Sequence, residues 1–442
     1  MSSLILLKNG TLLLHDANDV NIEPSSSDTT IIDCTDKIIS PGFIDTHYHV
    51  CQTSLKATHP NHTLFDYFPT GNFIGSFLSA DDTFWGQLPG ALECIDTKEA
   101  LRATVSSEIR SIFGYCPTAR TFDQLATMNP FGPPGRVRLG FAFDGLYLPG
   151  EVLKEVYGRV RQVGAQLITS HSVYGVAFGA PQGLSAASRL DFQGLLGPDI
   201  LLSHKNPTSE HTQLIRGNNV KVSSTPITEL QMGHGNPVCL YPEYQQLSSL
   251  GIDCYSVCTP YTPTQMSTVL QWARAKRHEE FEVHGKWAKA VGSNVGDIFN
   301  LGTIYGARCI GMEKEIRGLA VDKKADIVIY DATSPGLVVA ADRDPVAAIV
   351  LHSSIRDIDA VPVDWIIRKE GGKLKDVLIT PDLETKEEKN GKTVRWAEIA
   401  RRSRELCVMM DEKKKATMDE EVTRAAILEG FHLNVSAWAE AI

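Results

Sequence analysis

Apolar residues recur along this chain at two periods, and the dominant period changes with position. Residues 1–40 hold short apolar runs, LILLKNG, TTIIDC and DKIIS, broken by the polar loop EPSSSD. Short runs of this kind bounded by turn formers read as strands, and Asn9-Gly10 reads as a tight turn between two of them. From 41 to 310, β-type runs alternate with helical patterns. Strands are expected in FIDTHYH, RSIFGYC, VRLGFAFDG, AQLITSHSV, DILLSHKN, NVKVSST and LGIDCYS; amphipathic stretches such as LPGEVLKEVYGRVRQVG and EHTQLIRGN predict helices between them. Strands return over 311–370, in GLAVDKKADIVIYDA, VAAIVLHS and VDWIIRK. The tail, 371–442, is charged and mostly helical.

This order predicts an α/β chain: a TIM-like (β/α) barrel over 41–310, a small β-domain assembled from 1–40 and 311–370, and a helical tail. A doubly wound sheet fits less well, because no Gly-rich phosphate loop follows the first strand.

A barrel of parallel strands presents its chemistry at the strands' C-terminal ends. Those ends carry His47 and His49 (PGFIDTHYH), His171 (LITSHSV), His204 (ILLSHKN) and Asp253 (LGIDCYS). Residues i and i+2 of a strand share a face, so His47 and His49 project together. Taken singly, each has an ordinary reading as an exposed strand end, a hydrogen-bonded histidine or a loop-starting aspartate. Taken together, three histidines and a carboxylate suit a divalent ion such as zinc with a position left for water.

Composition narrows the class of function. The 442 residues carry a net charge of −10 with both signs well mixed, which argues against a nucleic-acid or anionic-membrane partner. No apolar stretch is long enough to span a membrane, and MSSLILLKNG lacks a basic signal-peptide start. Nine cysteines without paired spacing read as reduced thiols, so a cytoplasmic protein is expected.

The histidine motifs together with VSSTPITELQMGHGNP and IFNLGTIYGARCIGMEKEIRGLAVDKKADIVIYD resemble the amidohydrolase superfamily, nearest to its chlorohydrolase, cytosine deaminase-like and aromatic deaminase-like group. The resemblance covers most of residues 1–370. It implies a distorted TIM-like barrel with a small β-sandwich domain built from both chain ends. It also implies one metal ion, zinc or else iron, bound by His47, His49, His171 and Asp253. Asp253 would also take the proton of the metal-bound water, and His204 would polarise the group under attack. A bridging Lys or Glu for a second ion is missing at the fourth strand, where Asp144 (GFAFDG) is the only substitute.

The implied reaction is hydrolysis of a non-peptide C–N bond, in an amide, cyclic amide or amidine of a small, cyclic or aromatic molecule, by metal-bound hydroxide. A deaminase or chlorohydrolase would use the same site, and a non-catalytic relative is the other reading. No carboxylate closely follows His171, which weighs against ring deamination. Glu229 could substitute and His234 could touch substrate; a solvated or capping Glu229 and a turn histidine are the plain alternatives. His59 and His62 lead into the aromatic run LFDYFPTGNFIGSFL, which suits either a lid or a contact between copies, and a homo-oligomer is expected.

The chain departs from the family pattern between 79 and 110. Ser79 and Asp82 predict a helix start and Asp96–Glu99 a second capping box, with no β-branched run between these helices, so the second barrel strand is missing. Another segment substitutes, or its neighbours close up, or the barrel is gapped. Asp322 stands where the family carries a glycine.

Overall fold

Most of the apolar runs expected as strands form them, and their parallel register sets the site. VAAIVLHS, expected as a strand, is instead helical over Pro345–Ala347 and Ala348–His352, with Asp344 capping the first turn. The computed structural model describes residues 4–14, 29–72, 77–91, 98–115, 119–132, 135–173, 185–204, 208–316, 318–320, 322–380 and 391–430. The EPSSSD loop, part of the FIGSF run and the capping box expected from Asp96 lie outside the described residues. The chain forms two units, one of Met1–Asp45 with Tyr261–Lys375 and one of Thr46–Pro260 with Asp376–Ile442.

The first unit opens with β1 (Leu4–Lys8), β2 (Thr11–Leu12), β3 (Thr29–Asp33) and β4 (Lys37–Pro41). Strands β1 and β3 pair in parallel, and β2 pairs in parallel with β4. Asn9, in the turn expected there, has φ 65°.

The second unit carries β5 (Tyr48–His49), β6 (Ser111–Tyr115), β7 (Val137–Ala142), β8 (Ile168–His171), β9 (Ile200–Ser203), β10 (Lys221–Ser224), β11 (Ser248–Leu250) and β12 (Asp253–Cys254). Strands β6 to β11 form one curled, all-parallel sheet in sequential order, and β12 pairs in parallel with β5. Every residue of β9, Ile-Leu-Leu-Ser, is buried, as expected of a parallel strand covered on both faces. Helices α1 (Leu64–Tyr67), α2 (Ala80–Ala91) and α3 (Lys98–Ser107) precede β6. Then α4 (Ala119–Met128), α5 (Gly150–Gln162), α6 (Ala186–Phe192), α7 (Ser209–Gly217) and α8 (Pro226–Met232) follow β6 to β10 in turn. The strands' apolar side chains, among them Phe113, Leu139, Phe141, Ile168, Leu202 and Val222, form the main core with Leu153, Tyr157 and Ile215 of the helices.

No strand lies between β5 and β6 among the described residues, and neither of them pairs on its other edge there. Of the three layouts open from sequence, this is the gapped one. Helical structure occupies the segment instead. A 3-10 helix (Val50–Leu55) follows β5 at once. Ser79 and Asp82 cap α2 reciprocally: the Ser79 amide donates to Asp82 Oδ2 at 3.0 Å and the Asp82 amide to Ser79 Oγ at 3.2 Å. Helix α2 packs on the 3-10 helix so closely that a Cβ on Gly90 would stand 2.6 Å from the Val50 carbonyl oxygen.

Returning to the first unit, α9 (Thr262–Glu282) precedes β13 (Ile327–Asp331), β14 (Ile358–Val363), β15 (Ile366–Glu370) and β16 (Lys373–Leu374). These complete a six-stranded sheet in the order β16-β15-β14-β13-β4-β2. Its core holds Cys34, Ile39, Ile327, Ile329 and Ala360, with Leu7 and Ile32 of β1 and β3 packed against it. Asp322 adopts φ 63°, the left-handed conformation that favours glycine.

The tail belongs to the second unit. Its hairpin, β17 (Val377–Leu378) and β18 (Thr393–Val394), and its helix Trp396–Thr417 join α2 and α3 in one apolar cluster of Phe84, Leu88, Ala103, Val377, Val394 and Ile399. The Thr380 amide donates to Ser106 Oγ at 2.9 Å, and Leu406 and Met410 bury against Leu55.

Candidate active site

Strand register brings the site together. The Asp253 amide donates to the His47 carbonyl at 2.8 Å, so β12 delivers its aspartate beside both β5 histidines. A hydroxyl layer anchors the start of β5: Thr46 Oγ1 lies 2.7 Å from Ser223 Oγ and 2.7 Å from Ser249 Oγ. Gly251 permits the close approach, since a Cβ there would stand 2.9 Å from the His47 Cβ. Strand β8 pairs with β9 so that His171 faces Ser203, and the His204 amide donates to the Ser223 carbonyl.

His204 and Asp253 both take left-handed backbone conformations, φ 61° and 66°. Such a conformation costs a non-glycine residue about 1–3 kcal/mol and concentrates at functional sites. Here it falls at the two strand ends that carry the acid and the fourth imidazole.

The five residues singled out at the strand ends converge. His49 Nε2 is 3.2 Å from Asp253 Oδ1 and 3.2 Å from His171 Nε2; His47 Nε2 is 3.5 Å from Asp253 Oδ1. Two sets of three donors, His47–His49–His171 and His47–His204–Asp253, each lie within 4.8 Å of one another. Ligands about 2.0–2.1 Å from a tetrahedral zinc ion stand roughly 3.3 Å apart; the His49–Asp253, His49–His171 and His47–Asp253 pairs match that spacing, and the donors match such an ion in chemistry.

Burial sets the protonation states. Desolvation pulls His47 down to about 4, against the pull of Asp253, so its ring is neutral as a metal ligand must be. Desolvation likewise holds His204 well below the usual imidazole range. Burial acts to raise Asp253, but His204, His47 and His49 more than offset it, and the acid stays ionised well below its ordinary range. His171 is desolvated too, yet Asp144 beside it raises its pKa to about 9.

Two hydrogen bonds distinguish His171 from His204. Asp144 Oδ2 sits 2.7 Å from His171 Nδ1; a carboxylate accepts only, so Nδ1 carries a proton and Nε2 is the nitrogen left to bind a metal once the ring is neutral. Thr225 Oγ1 accepts from Thr228 at 2.9 Å and lies 2.8 Å from His204 Nδ1. With the Thr225 hydroxyl donating to Nδ1, the His204 proton sits on Nε2, 3.6 Å from Asp253 Oδ2. Thr225 provides no side-chain cap for α8.

Glu229 lies on the Nδ1 side of His204, and His234 packs against the His204 ring. Glu229, in the first turn of α8, is 1% exposed. That removes the solvated reading of this residue. Its Oε1 lies 4.0 Å from His204 Nδ1, and desolvation lifts its pKa to about 8. The His234 ring packs 4.4 Å from that of His204. His59 is fully buried, its Nδ1 2.6 Å from Ser256 Oγ, so it supports the strand carrying Asp253 rather than covering a mouth. The sequence reading missed Thr225, whose position just ahead of Pro226 was its only signal, and saw Asp144 only as a substitute bridge.

No family model matches the chain. A 5'-deoxyadenosine deaminase from Methanobrevibacter smithii is 23% identical over 397 residues, covering 80% of this chain and 86% of the relative. Among solved structures, the zinc complex of an atrazine chlorohydrolase from Arthrobacter aurescens superposes with TM-score 0.70 at 15% identity, over 91% of this chain and 100% of that one. An amidohydrolase from a Sargasso Sea environmental sample gives 0.61 at 15% identity, over 90% of each chain.

In fold the chain is similar to these zinc-bound and amidohydrolase structures, and in sequence to the deaminase.

Proposed function

We propose that the chain hydrolyses a C–N bond of a small cyclic or aromatic molecule bearing an N–C–N edge, such as an aminopurine or aminotriazine. His47, His49, His171 and Asp253 would hold one divalent ion, zinc ahead of iron. The observation that carries this reading is the spacing of Asp253 Oδ1 and the ring nitrogens of His47, His49 and His171. Once bound, such an ion acts as a Lewis acid and brings the pKa of water down to about 7.

The two oxygens of Asp253 divide the work. Oδ1 faces His47 and His49, whereas Oδ2 faces His204 Nε2. Oδ1 serves as the ligand, and Oδ2 accepts a proton from the attacking water. The Nε2–H of His204 donates to the group under attack and stabilises the charge that develops there. Glu229, protonated at neutral pH, offers one donor and one acceptor, a match for an N–C–N edge. His234 packs against the His204 ring.

The relative named for 5'-deoxyadenosine supports a purine nucleoside among the candidates. The same residues serve whether the leaving group is ammonia or chloride. With this reading go the finer points of architecture and setting: a gapped TIM-like barrel over 41–310, a composite β-sandwich of 1–40 and 311–370, a homo-oligomer and a cytoplasmic location. Among the described residues no helix is long and apolar enough to cross a membrane.

The test is a hydrolysis screen of aminopurine nucleosides, aminotriazines and cyclic amides with the zinc-loaded protein. On the substrate found, His204→Ala should keep its metal and lose on the order of 10²–10³-fold in kcat. A screen with no turnover overturns the proposed reaction; undiminished turnover in His204→Ala removes that residue from it.

A further inference from the structure

We infer that Asp144 is a positioning residue that fixes the tautomer and ring orientation of His171, rather than a ligand of a second ion. The inference rests on the assignment of His171 as a metal ligand.

Register places Asp144. Strand β7 pairs with β8 as Phe141↔Ile168 and Ala142↔Thr169, and the Phe143 amide continues the ladder to the Thr169 carbonyl at 2.9 Å. The same offset carried on sets Asp144 beside His171. Both carboxylate oxygens are engaged there. Oδ1 accepts from the His171 amide at 2.8 Å and from Ser170 Oγ at 3.2 Å, while Oδ2 accepts from Nδ1 at 2.7 Å.

One carboxylate thus holds a residue's backbone and its ring together, leaving the ring little freedom to turn. The opposite nitrogen, Nε2, is the one that meets His49 Nε2 at 3.2 Å. A carboxylate on the far nitrogen of a ligating histidine sets which nitrogen is free for the metal and raises its basicity; losing such a partner typically costs 10–100-fold in metal affinity.

The decisive variant is Asp144→Asn, which keeps the shape and reverses the polarity. If the amide oxygen accepts from the His171 backbone, the NH2 faces Nδ1 and drives the ring proton to Nε2. If the amide flips, its NH2 opposes the backbone N–H. Asp144→Ala, which removes the acceptor outright, is the second variant. The side chain is 58% exposed, so neither change threatens the core.

Two readouts apply. Zinc affinity comes from competition with a chromophoric chelator, and the His171 tautomer of the metal-free protein comes from 15N-histidine NMR at alkaline pH, where the ring is neutral, assigned with His171→Gln. Both Asp144 variants should fold as judged by circular dichroism and bind zinc 10–100-fold more weakly. In Asp144→Asn the His171 proton should move from Nδ1 to Nε2; Asp144→Glu should recover part of the affinity. Wild-type zinc affinity in both variants, or an unchanged tautomer in Asp144→Asn, overturns the inference. His47→Ala is the control: if it retains zinc, the ligand set itself fails. If it loses zinc while the Asp144 variants keep wild-type affinity, only the role of Asp144 fails.

Discussion

A neutral His47 and an ionised Asp253 coexist within a few ångströms because different surroundings govern each. His47 is neutral through desolvation; Asp253 is charged through the histidines around it. Glu229 is the third case, kept protonated by burial with a pKa of about 8 against an ordinary value of 4.5. Such an acid is neutral at pH 7 and loses its proton as pH rises through 8. Substrate recognition that uses its hydroxyl is then complete below that value and lost above it. KM should rise above about pH 8 in the wild type. In Glu229→Gln, whose amide keeps a donor and an acceptor without titrating, KM should stay flat across the same range. Glu229→Ala should raise KM at pH 7 on the order of 10- to 100-fold, the cost of an unmade buried hydrogen bond. Initial-rate kinetics from pH 6 to 9.5 check this; a wild-type KM flat through pH 9 would remove Glu229 from substrate recognition.

At the scale of elements, the legible part of the site is the part carried by strand ends. An apolar run followed by a histidine or an aspartate marks both a strand and a candidate donor, and that pattern singled out His47, His49, His171, His204 and Asp253, which the structure brings together, without any knowledge of pairing. Asp144 was legible as a polar strand end, but not as a partner of His171. That depends on a register offset between two strands, which nothing local encodes. Glu229 stayed open between a site role and a solvated or capping one because a short helix begun by Pro226 reads like a loop; its burial follows from how α8 packs.

The gap between β5 and β6 was visible as a missing β-branched run, whereas what accompanies it was not. Helix α2 fits the 3-10 helix after β5 because Gly90 has no side chain: a Cβ there would clash with the Val50 oxygen at 2.6 Å. Gly90→Ala should therefore cost about 1–3 kcal/mol of stability through overpacking, despite the better helix propensity of alanine. Urea denaturation of the metal-free protein measures it. A neutral or stabilising change would mean that α2 is free to shift away from the strand that carries His47 and His49.

Across the whole chain, two stretches far apart in sequence build the unit that carries the site. The tail from Asp376 onward contributes Val377, Val394, Ile399, Leu406 and Met410 to apolar clusters with α2, α3 and the 3-10 helix. The tail thus buttresses the helices that occupy the described stretch between β5 and β6. Whether a gapped barrel still holds its donors with the precision an ion requires is the central question for this protein. Elemental analysis answers it most directly, on wild type purified without chelator or added metal and on His47→Ala prepared alongside. The account predicts close to one equivalent of zinc per wild-type chain and almost none in a folded His47→Ala. A wild type that stays metal-free even after zinc is supplied, or a His47→Ala that retains a full equivalent, would contradict it.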